Sequence, residues 1–477
     1  MMKYVTRILL ALCAVAGYAQ EAPKVWTLKE CIDYALQNNI NVKRSLLAVD
    51  NAEINLLQSK ATMLPSVNGG ASYGLNWGRS VDPTSNLFIQ QQINSINFNG
   101  NGSFLLFNGL RLLNTVRQNQ FENKAAIEDF NKAKNDVILS VITFYLNVIF
   151  NKELYQNAQF QLNTTNQQLD RTRILEEVGS VPRGNVLDLE AQSATNELNL
   201  VNRENALNLS LLQLKQALQL SGSTPMDVEV PDIAMLEELA LVKSAEEIFS
   251  IAKETMPEMK AAALRVTGSN LALKAARGNY LPRVNMVGNF FTNYSSAFKI
   301  ATGFESTGPP AQIGVVQGSN TPVLSLLPEG RPIFSEKPRA EQFSDNISQA
   351  LSFQLQVPIF NGLATRANVQ RSIISNRQAV INLQDNENRL RQTVETAYND
   401  ALAAAKTFQS ASKQVAARDE AYRMNKQRFE NGAINFVDYQ VSENNLFQAK
   451  SDLLRAKYDF IFKKKVLDFY EGKTIDL

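Results

Sequence analysis

The sequence contains an internal duplication, which limits the possible folds more than any other feature. Leu64-Pro65-Ser66-Val67-Asn68 recurs 217 positions later as Leu281-Pro282-Arg283-Val284-Asn285. Phe107-Asn108-Gly109-Leu110 recurs 253 positions later as Phe360-Asn361-Gly362-Leu363. The second copy therefore holds 36 extra residues between these landmarks. They fit the stretch of about 302–341, which is rich in Gly, Pro and Ser and predicts a long exposed loop.

Each copy predicts the same order of elements: an amphipathic helix, two short β-like segments, a very long helix and a return helix. The long helices should run from Gly109 to about Val178 and from Gly362 to about Asn431. Apolar residues at alternating steps of three and four give each a sustained heptad seam, which predicts coiled-coil packing. Roughly 70 residues form a rod of about 105 Å.

The domain boundaries follow from the duplication. Residues 1–19 are expected to be a signal peptide, because Lys3 and Arg7 precede an apolar stretch that ends at a small-residue cleavage site. The first repeat is then 20–220, a linker covers 221–244, and the second repeat is 245–477.

The four β-like segments alternate between apolar and polar residues. Leu351, Phe353 and Leu355 alternate with Ser352 and Gln354. Alternation with aromatic residues near the strand ends suits a membrane β-barrel with a polar lumen, although a half-buried soluble sheet would look similar. The aromatic residues expected at the membrane interface are Tyr73, Trp77, Phe290, Phe291 and Tyr294.

Composition excludes several classes of protein. The chain contains no histidine, which excludes Ser-His-Asp triads and His-ligated metals. Removal of residues 1–19 would leave equal numbers of basic and acidic residues, which argues against a nucleic-acid partner. The acidic residues are spread along the helices without a Gly-rich loop or metal-ligand spacing, so we predict neither an enzyme nor a cofactor. No later segment holds 18 consecutive apolar residues, so no membrane-spanning helix is predicted.

Four strands cannot close a barrel, and lipid tolerates no open sheet edge. The smallest consistent arrangement has several chains sharing one barrel. Three chains would give about 12 strands, a workable size for a channel, although strand counting alone does not decide between three chains and four.

The combination of motifs resembles the TolC-like outer membrane efflux proteins. The resemblance rests on the following segments: Trp26-Thr27-Leu28-Lys29-Glu30-Cys31 near the start, Leu64-Pro65 and Leu281-Pro282 before strands, Phe107-Asn108-Gly109 and Phe360-Asn361-Gly362 before helices, and Arg428-Phe429-Glu430-Asn431-Gly432 with Val437-Asp438. It covers nearly the whole chain after the signal peptide. Pro65, Pro282, Gly109 and Gly362 are thus expected at strand–helix junctions.

This resemblance implies an α+β fold, mainly α, in which a trimeric periplasmic α-barrel joins a 12-stranded outer-membrane β-barrel with four strands per chain. It implies a homotrimer in the outer membrane of a Gram-negative bacterium. It also implies a passive exit duct for drugs, metals or secreted proteins. A periplasmic adaptor would couple this duct to an inner-membrane pump of the resistance-nodulation-division or ABC type. The alternative is a periplasmic or secreted coiled-coil scaffold without a pore.

The turns between long and return helices are the expected periplasmic tips. The residues expected to form them and to contact the adaptor are Gly179, Ser180, Val181, Arg428, Phe429, Gly432, Ala433 and Ile434. Asp438 lies just after the tip, where the resemblance implies a ring of acidic residues that narrows the pore. Asp188 is its counterpart in the first copy. Val441 stands where a second aspartate is often found, so only one such ring is expected.

Overall fold

The structure, a computed structural model, describes residues 24–81, 88–230 and 243–473. The predicted signal peptide, with Cys13, lies outside the described residues, and so do residues 231–242 of the predicted linker.

The described helices are long and few. In chain order they are α1 (Leu28–Asn38), α2 (Ile40–Ala61), α3 (Arg111–Glu177), α4 (Arg183–Ala217), α5 (Ala245–Thr255), α6 (Pro257–Arg277), α7 (Arg339–Asp345), α8 (Ala364–Glu430) and α9 (Phe436–Tyr470). The described strands are β1 (Lys24–Trp26), β2 (Ser66–Val81), β3 (Phe88–Phe107), β4 (Met226–Val228), β5 (Arg283–Ser295), β6 (Lys299–Val315), β7 (Pro322–Glu336) and β8 (Ser348–Gln356).

The helix lengths reproduce the sequence duplication. Both long helices, α3 and α8, have 67 residues, and both return helices, α4 and α9, have 35. The opening helices also match, because α1 and α5 each have 11 residues and each begins with a capping box. In α1 the side chain of Thr27 accepts a hydrogen bond from the Glu30 backbone, as the sequence predicts.

The amphipathic helix predicted near the start of each copy is in fact two helices. Asn39 separates α1 from α2 and Met256 separates α5 from α6, with ψ of 130° at both residues. These residues are 217 positions apart, so the break belongs to the repeat. Met256 precedes Pro257, which disfavours a helical conformation at the preceding residue.

The chain divides into two compact units. Unit one contains residues 1–55, 118–270 and 374–477, as far as they are described. Its main core packs side chains of α1, α3, α4 and α9 against the parallel pair β1–β4, with Tyr145 and Cys31 almost fully buried. The Tyr145 hydroxyl donates to the backbone oxygen of Glu229 (2.8 Å), which satisfies its polar atom inside the core.

Helix α3 is the described helix that is long and apolar enough to cross a membrane by length and composition alone. Its most apolar 18-residue window has a mean hydropathy of 1.4, and 44% of that window is buried. The apolar side chains of Val141, Ile142 and Ile149 lie in the core of unit one. Core packing therefore explains the apolar character of this helix.

Unit two contains residues 56–117 and 271–373, as far as they are described, and holds the four strands that the sequence predicts for a β-barrel. Four strands form an antiparallel sheet in the order β2-β3-β5-β8. Strands β2 and β8 are its edges. The sheet joins strands from both copies, because β2 and β3 come from the first and β5 and β8 from the second.

The stretch of about 302–341, expected as an exposed loop, is exposed but has regular structure. Strands β6 and β7 pair as an antiparallel hairpin, and α7 follows them. Residues 306–328 of this hairpin contain no charged residue. The glycines and prolines that predict a loop here coincide with irregularities in the pairing, for example around Pro310.

Candidate functional site

The pairing register places most of the large apolar residues of the four sheet strands on one face. Across the sheet, Tyr73 is opposite Ile96, Ile96 is opposite Tyr294, Met286 is opposite Phe353 and Val284 is opposite Leu355. Since side chains alternate along a strand, every second residue from these positions lies on the same face. Most of this face is exposed, and Trp77 and Phe353 have 71% and 64% of their surface accessible.

The opposite face of the sheet is rich in asparagine, glutamine and serine. Asn68 pairs with Asn101, and Asn101 pairs with Asn289. Asn285 is opposite Gln354. An antiparallel sheet with one apolar and one polar face, and with both edges open, can be stable in a membrane only when other strands pair with those edges.

The predicted interface aromatics divide between the two faces. Tyr73, Trp77 and Phe290 lie on the apolar face and are exposed. Phe291 is exposed but lies on the polar face, because it is opposite Asn99. Its neighbour Phe290 must then point to the other side.

Tyr294 does not fit the expected set of exposed aromatics, because only 1% of its surface is accessible. It lies on the apolar face, but Phe343 of α7 packs on it with ring centroids 6.3 Å apart. Its hydroxyl also donates to Glu336. The short helix α7 therefore covers one end of the apolar face, which alternation within one strand could not predict.

The strand–helix junctions lie where the sequence places them. Pro65 and Pro282 come directly before β2 and β5. Gly109 and Gly362 have φ of 66° and 61°, a left-handed conformation that glycine adopts without steric cost. The leucine after each glycine is also left-handed, with φ of 61° at Leu110 and 64° at Leu363.

Both tip turns are Schellman motifs built on glycine. Gly179 has φ of 74°, and the Ser180 amide donates to the Leu175 oxygen (2.8 Å). Gly432 has φ of 71°, and the Ala433 amide donates to the Arg428 oxygen (2.8 Å). This pattern ends α3 and α8 and reverses the chain. Ser180, Ala433 and Arg428 are exposed, and Val181 is half-buried.

The two tips are packed together by an apolar cluster. Phe429 stacks on Tyr439 with ring centroids 5.0 Å apart, and Ile434 packs against the same cluster. Val186 and Leu189 of the first copy are buried members of it. Phe429 and Ile434, predicted as adaptor contacts, therefore have a structural role in joining the tips.

Asp438 and Asp188 are both exposed near the tips. Asn435 caps α9, since its side-chain oxygen accepts the Asp438 amide (2.8 Å). The Asp438 carboxylate thus stands in the first turn of α9, where the helix dipole favours negative charge. No described contact joins the two aspartates, and their role in a constriction stays a prediction.

Close to the tips lies a polar cluster that the sequence analysis missed. Gln168 Nε2 donates to Glu443 Oε1 (3.0 Å) and to the Tyr439 hydroxyl oxygen (2.8 Å). The Tyr422 hydroxyl donates to Glu443 Oε1 (3.5 Å). The cluster therefore connects α3, α8 and α9, and so connects the two copies.

Glu443 is unusual because it is an acid with only 4% of its surface accessible. Burial raises the pKa of its carboxyl, while the hydrogen bonds from Gln168 and Tyr422 and the charge of Lys426 lower it. The sequence did hold a signal: Phe436, Tyr439, Glu443 and Leu446 follow the three-four spacing of a buried seam. An acid at a seam position indicates a buried carboxyl.

The family model described as "Outer membrane efflux protein" matches residues 31–219 and 248–464. The chain belongs to this family of outer membrane efflux proteins. One matched segment lies in each sequence repeat, and together they cover most of the chain.

Two individual relatives show how far the similarity extends along the chain. Outer membrane efflux protein BepC of Brucella suis is 20% identical over 441 residues, which are 91% of this chain and 83% of BepC. An uncharacterised protein of Haemophilus influenzae is 25% identical, and the match covers 54% of this chain and 55% of that protein. The chain thus spans about half the length of this second relative.

The fold is shared with solved outer membrane proteins. The crystal structure of the outer membrane protein VceC from Vibrio cholerae matches with a TM-score of 0.71 at 14% identity, over 94% of this chain and 97% of VceC. The predicted TolC-like fold, mainly helical with a small set of strands, is confirmed. The chain is an outer-membrane transport protein with a periplasmic portion.

Proposed function

We propose that three copies of this chain form a passive exit duct through the outer membrane. Each copy contributes its four-stranded sheet to one 12-stranded β-barrel, and the long helices form the periplasmic tube. A periplasmic adaptor protein binds the helix tips and couples the duct to an inner-membrane pump.

The observation that carries this proposal is the sheet with two open edges and two unlike faces. Its apolar face, with Trp77 and Phe353 exposed, suits contact with lipid, and its asparagine-rich face suits a water-filled lumen. Because lipid offers no hydrogen-bond partners, β2 and β8 must pair with strands of other copies. A coiled-coil scaffold without a pore has no need for such a sheet.

The relatives support a role in efflux but leave the cargo open. BepC is named as an efflux protein, and a channel role accords with the family. Neither the family description nor the name of BepC specifies a cargo. The proposal therefore does not choose among drugs, metal ions and secreted proteins as the cargo.

The proposal is tested by fractionation and conductance. The full-length protein, expressed in a Gram-negative host, should appear in the outer membrane as an oligomer that heating converts to monomer on gels. The purified oligomer should form channels in planar bilayers. A soluble monomer without conductance would contradict the duct and would favour the scaffold.

Asp438 gives a sharper test of the pore. Replacement by asparagine (Asp438→Asn) should weaken the block of single channels by multivalent cations, because a ring of carboxylates attracts cations. Asp50→Asn, an exposed acid on α2, is the control and should leave the block unchanged. An unchanged block in Asp438→Asn would remove this residue from the constriction. The same measurement on Asp188→Asn tests the first copy.

A further inference from the structure

A cavity of about 720 Å³ lies in unit two, where strands give way to helices. Its lining includes Asn108 and Arg111 of the first copy, and Arg283, Gln356 and Asn361 of the second. Arg283 Nε donates to Gln356 Oε1 (2.6 Å), and both residues lie on the polar face of the sheet. Polar side chains therefore line the part of the cavity next to that face.

The charged residues around this cavity are all positive. The described residues lining the cavity include two arginines and no acid. The surrounding sequence is equally one-sided, since residues 54–81, 88–121, 259–304 and 346–384 contain lysine and arginine but no aspartate or glutamate. An isolated group of arginines without counter-charge favours binding of an anion.

The cavity also holds a hydrogen-bond donor without an acceptor. The Asn108 side-chain nitrogen is buried and has no partner. A buried amide nitrogen without a partner is costly, so an acceptor oxygen is expected to meet it.

The second copy shows what kind of partner is absent. The equivalent residue, Asn361, donates from Nδ2 to the Thr365 hydroxyl (2.6 Å). In the first copy the position of Thr365 is held by Leu112, which has no acceptor, and the position of Ala364 is held by Arg111. The first copy therefore lacks the internal acceptor that the second copy has at this turn and carries an arginine there.

We infer that this cavity is a binding site for a phosphate-type oxyanion, held by Arg111, Arg283 and the Asn108 amide. Guanidinium groups match the paired oxygens of phosphate, and an amide donor takes a third oxygen. Such an oxyanion belongs either to a phospholipid headgroup or to a free phosphate compound in the duct.

Two binding measurements on the purified full-length protein test the inference and separate the sources. Titration with inorganic pyrophosphate in non-ionic detergent reports on a free anion. Native mass spectrometry after mild extraction reports on retained phospholipid. The test variant is Arg111→Gln/Arg283→Gln. The matched control, Arg117→Gln/Arg366→Gln, removes the same charge from exposed helix positions outside the cavity.

A third variant leaves the charge intact. Leu112→Thr gives Asn108 the hydroxyl partner that Asn361 has, and it should weaken binding about tenfold, as expected for one hydrogen bond to a charged acceptor. The double arginine variant should lose at least one of the two ligands, and the control should keep both. The ligand that the double arginine variant no longer binds identifies the source of the oxyanion, either free phosphate or phospholipid. Binding within twofold in all variants, or no binding of either ligand to the unaltered protein, would overturn the inference.

Discussion

Gly109 and Gly362 occupy the same place in the two copies, but their surroundings differ. Both are left-handed. A Cβ at Gly362 would meet nothing within 4 Å, whereas a Cβ at Gly109 would overlap the carbonyl oxygen of Gly278 and lie 2.8 Å from the Leu281 Cβ. In the second copy, glycine is required only because the backbone is left-handed. In the first copy, glycine also allows two backbone segments to touch.

This difference gives a prediction with an internal control. Gly362→Ala should cost about 1–2 kcal/mol, the cost of a left-handed alanine. Gly109→Ala should cost about 1–3 kcal/mol more, because the methyl group also forces the backbone of Gly278 away. Thermal unfolding of the two purified variants measures the difference. Equal losses would show that the junction at Gly109 is not closely packed.

At the scale of elements, the seam between α3 and α9 contains polar contacts at separate points along its length. Asn157 Nδ2 donates to Ser451 (3.1 Å), and Gln168 donates to Glu443 and Tyr439 nearer the tips. This seam joins the first copy to the second. Aromatic contacts lie on the same seam, where the rings of Phe160 and Phe447 have centroids 6.3 Å apart.

Glu443 makes the polar seam sensitive to pH. Its folded-state pKa is raised by burial above the ordinary value of 4.5, so its contribution to stability is fully present below pH 4.5 and is lost as the pH rises through the folded pKa. Glu443→Gln should therefore be more stable than the unaltered protein at pH 7, and its stability should vary less with pH. Thermal unfolding between pH 4.5 and pH 7.5 would measure both effects.

The duplication provides the control for this experiment. Glu190 stands 253 positions earlier but is exposed and paired with Arg173 (2.8 Å). Glu190→Gln should leave the pH dependence of unfolding unchanged. If the two variants behaved alike, the burial of Glu443 would not be the cause of the pH dependence of unfolding.

At the scale of the whole molecule, the two faces of the sheet should differ in their tolerance of charge. Phe353→Lys places an ammonium on the apolar face and should cost about 2–4 kcal/mol at mid-membrane depth. Ser352→Lys, one residue away, places the same charge on the polar face and should cost little. The amount of heat-sensitive oligomer in the outer membrane measures the difference, and equal yields would contradict the assignment of faces.

Much of the molecule was predictable because it obeys local rules. The heptad spacing of α3 and α8, the capping box at Thr27 and the left-handed glycines at Gly179 and Gly432 each depend on residues near one another in sequence. The duplication then supported each prediction with a second copy. Alternation also placed the apolar residues of β8 on one face.

What the sequence did not predict depends on contacts between distant residues. Tyr294 is buried only because Phe343, in a helix after the hairpin, packs on it. Phe429 faces Tyr439 in the joined tips, although its motif suggested a partner surface. The unpartnered amide of Asn108 becomes visible only when the two copies are compared in three dimensions.

The buried position of Cys31 has a practical consequence for following this molecule in motion. Burial raises the pKa of its thiol to about 12, and the side chain is fully enclosed, so reagents that attack thiolates should leave it unlabelled. Cys13, the other cysteine, belongs to the predicted signal peptide. A cysteine introduced at Ser180 or Ala433 would then be the one reactive thiol of the processed chain. Spin or fluorescent probes attached there would report any separation of the tips during opening of the proposed duct.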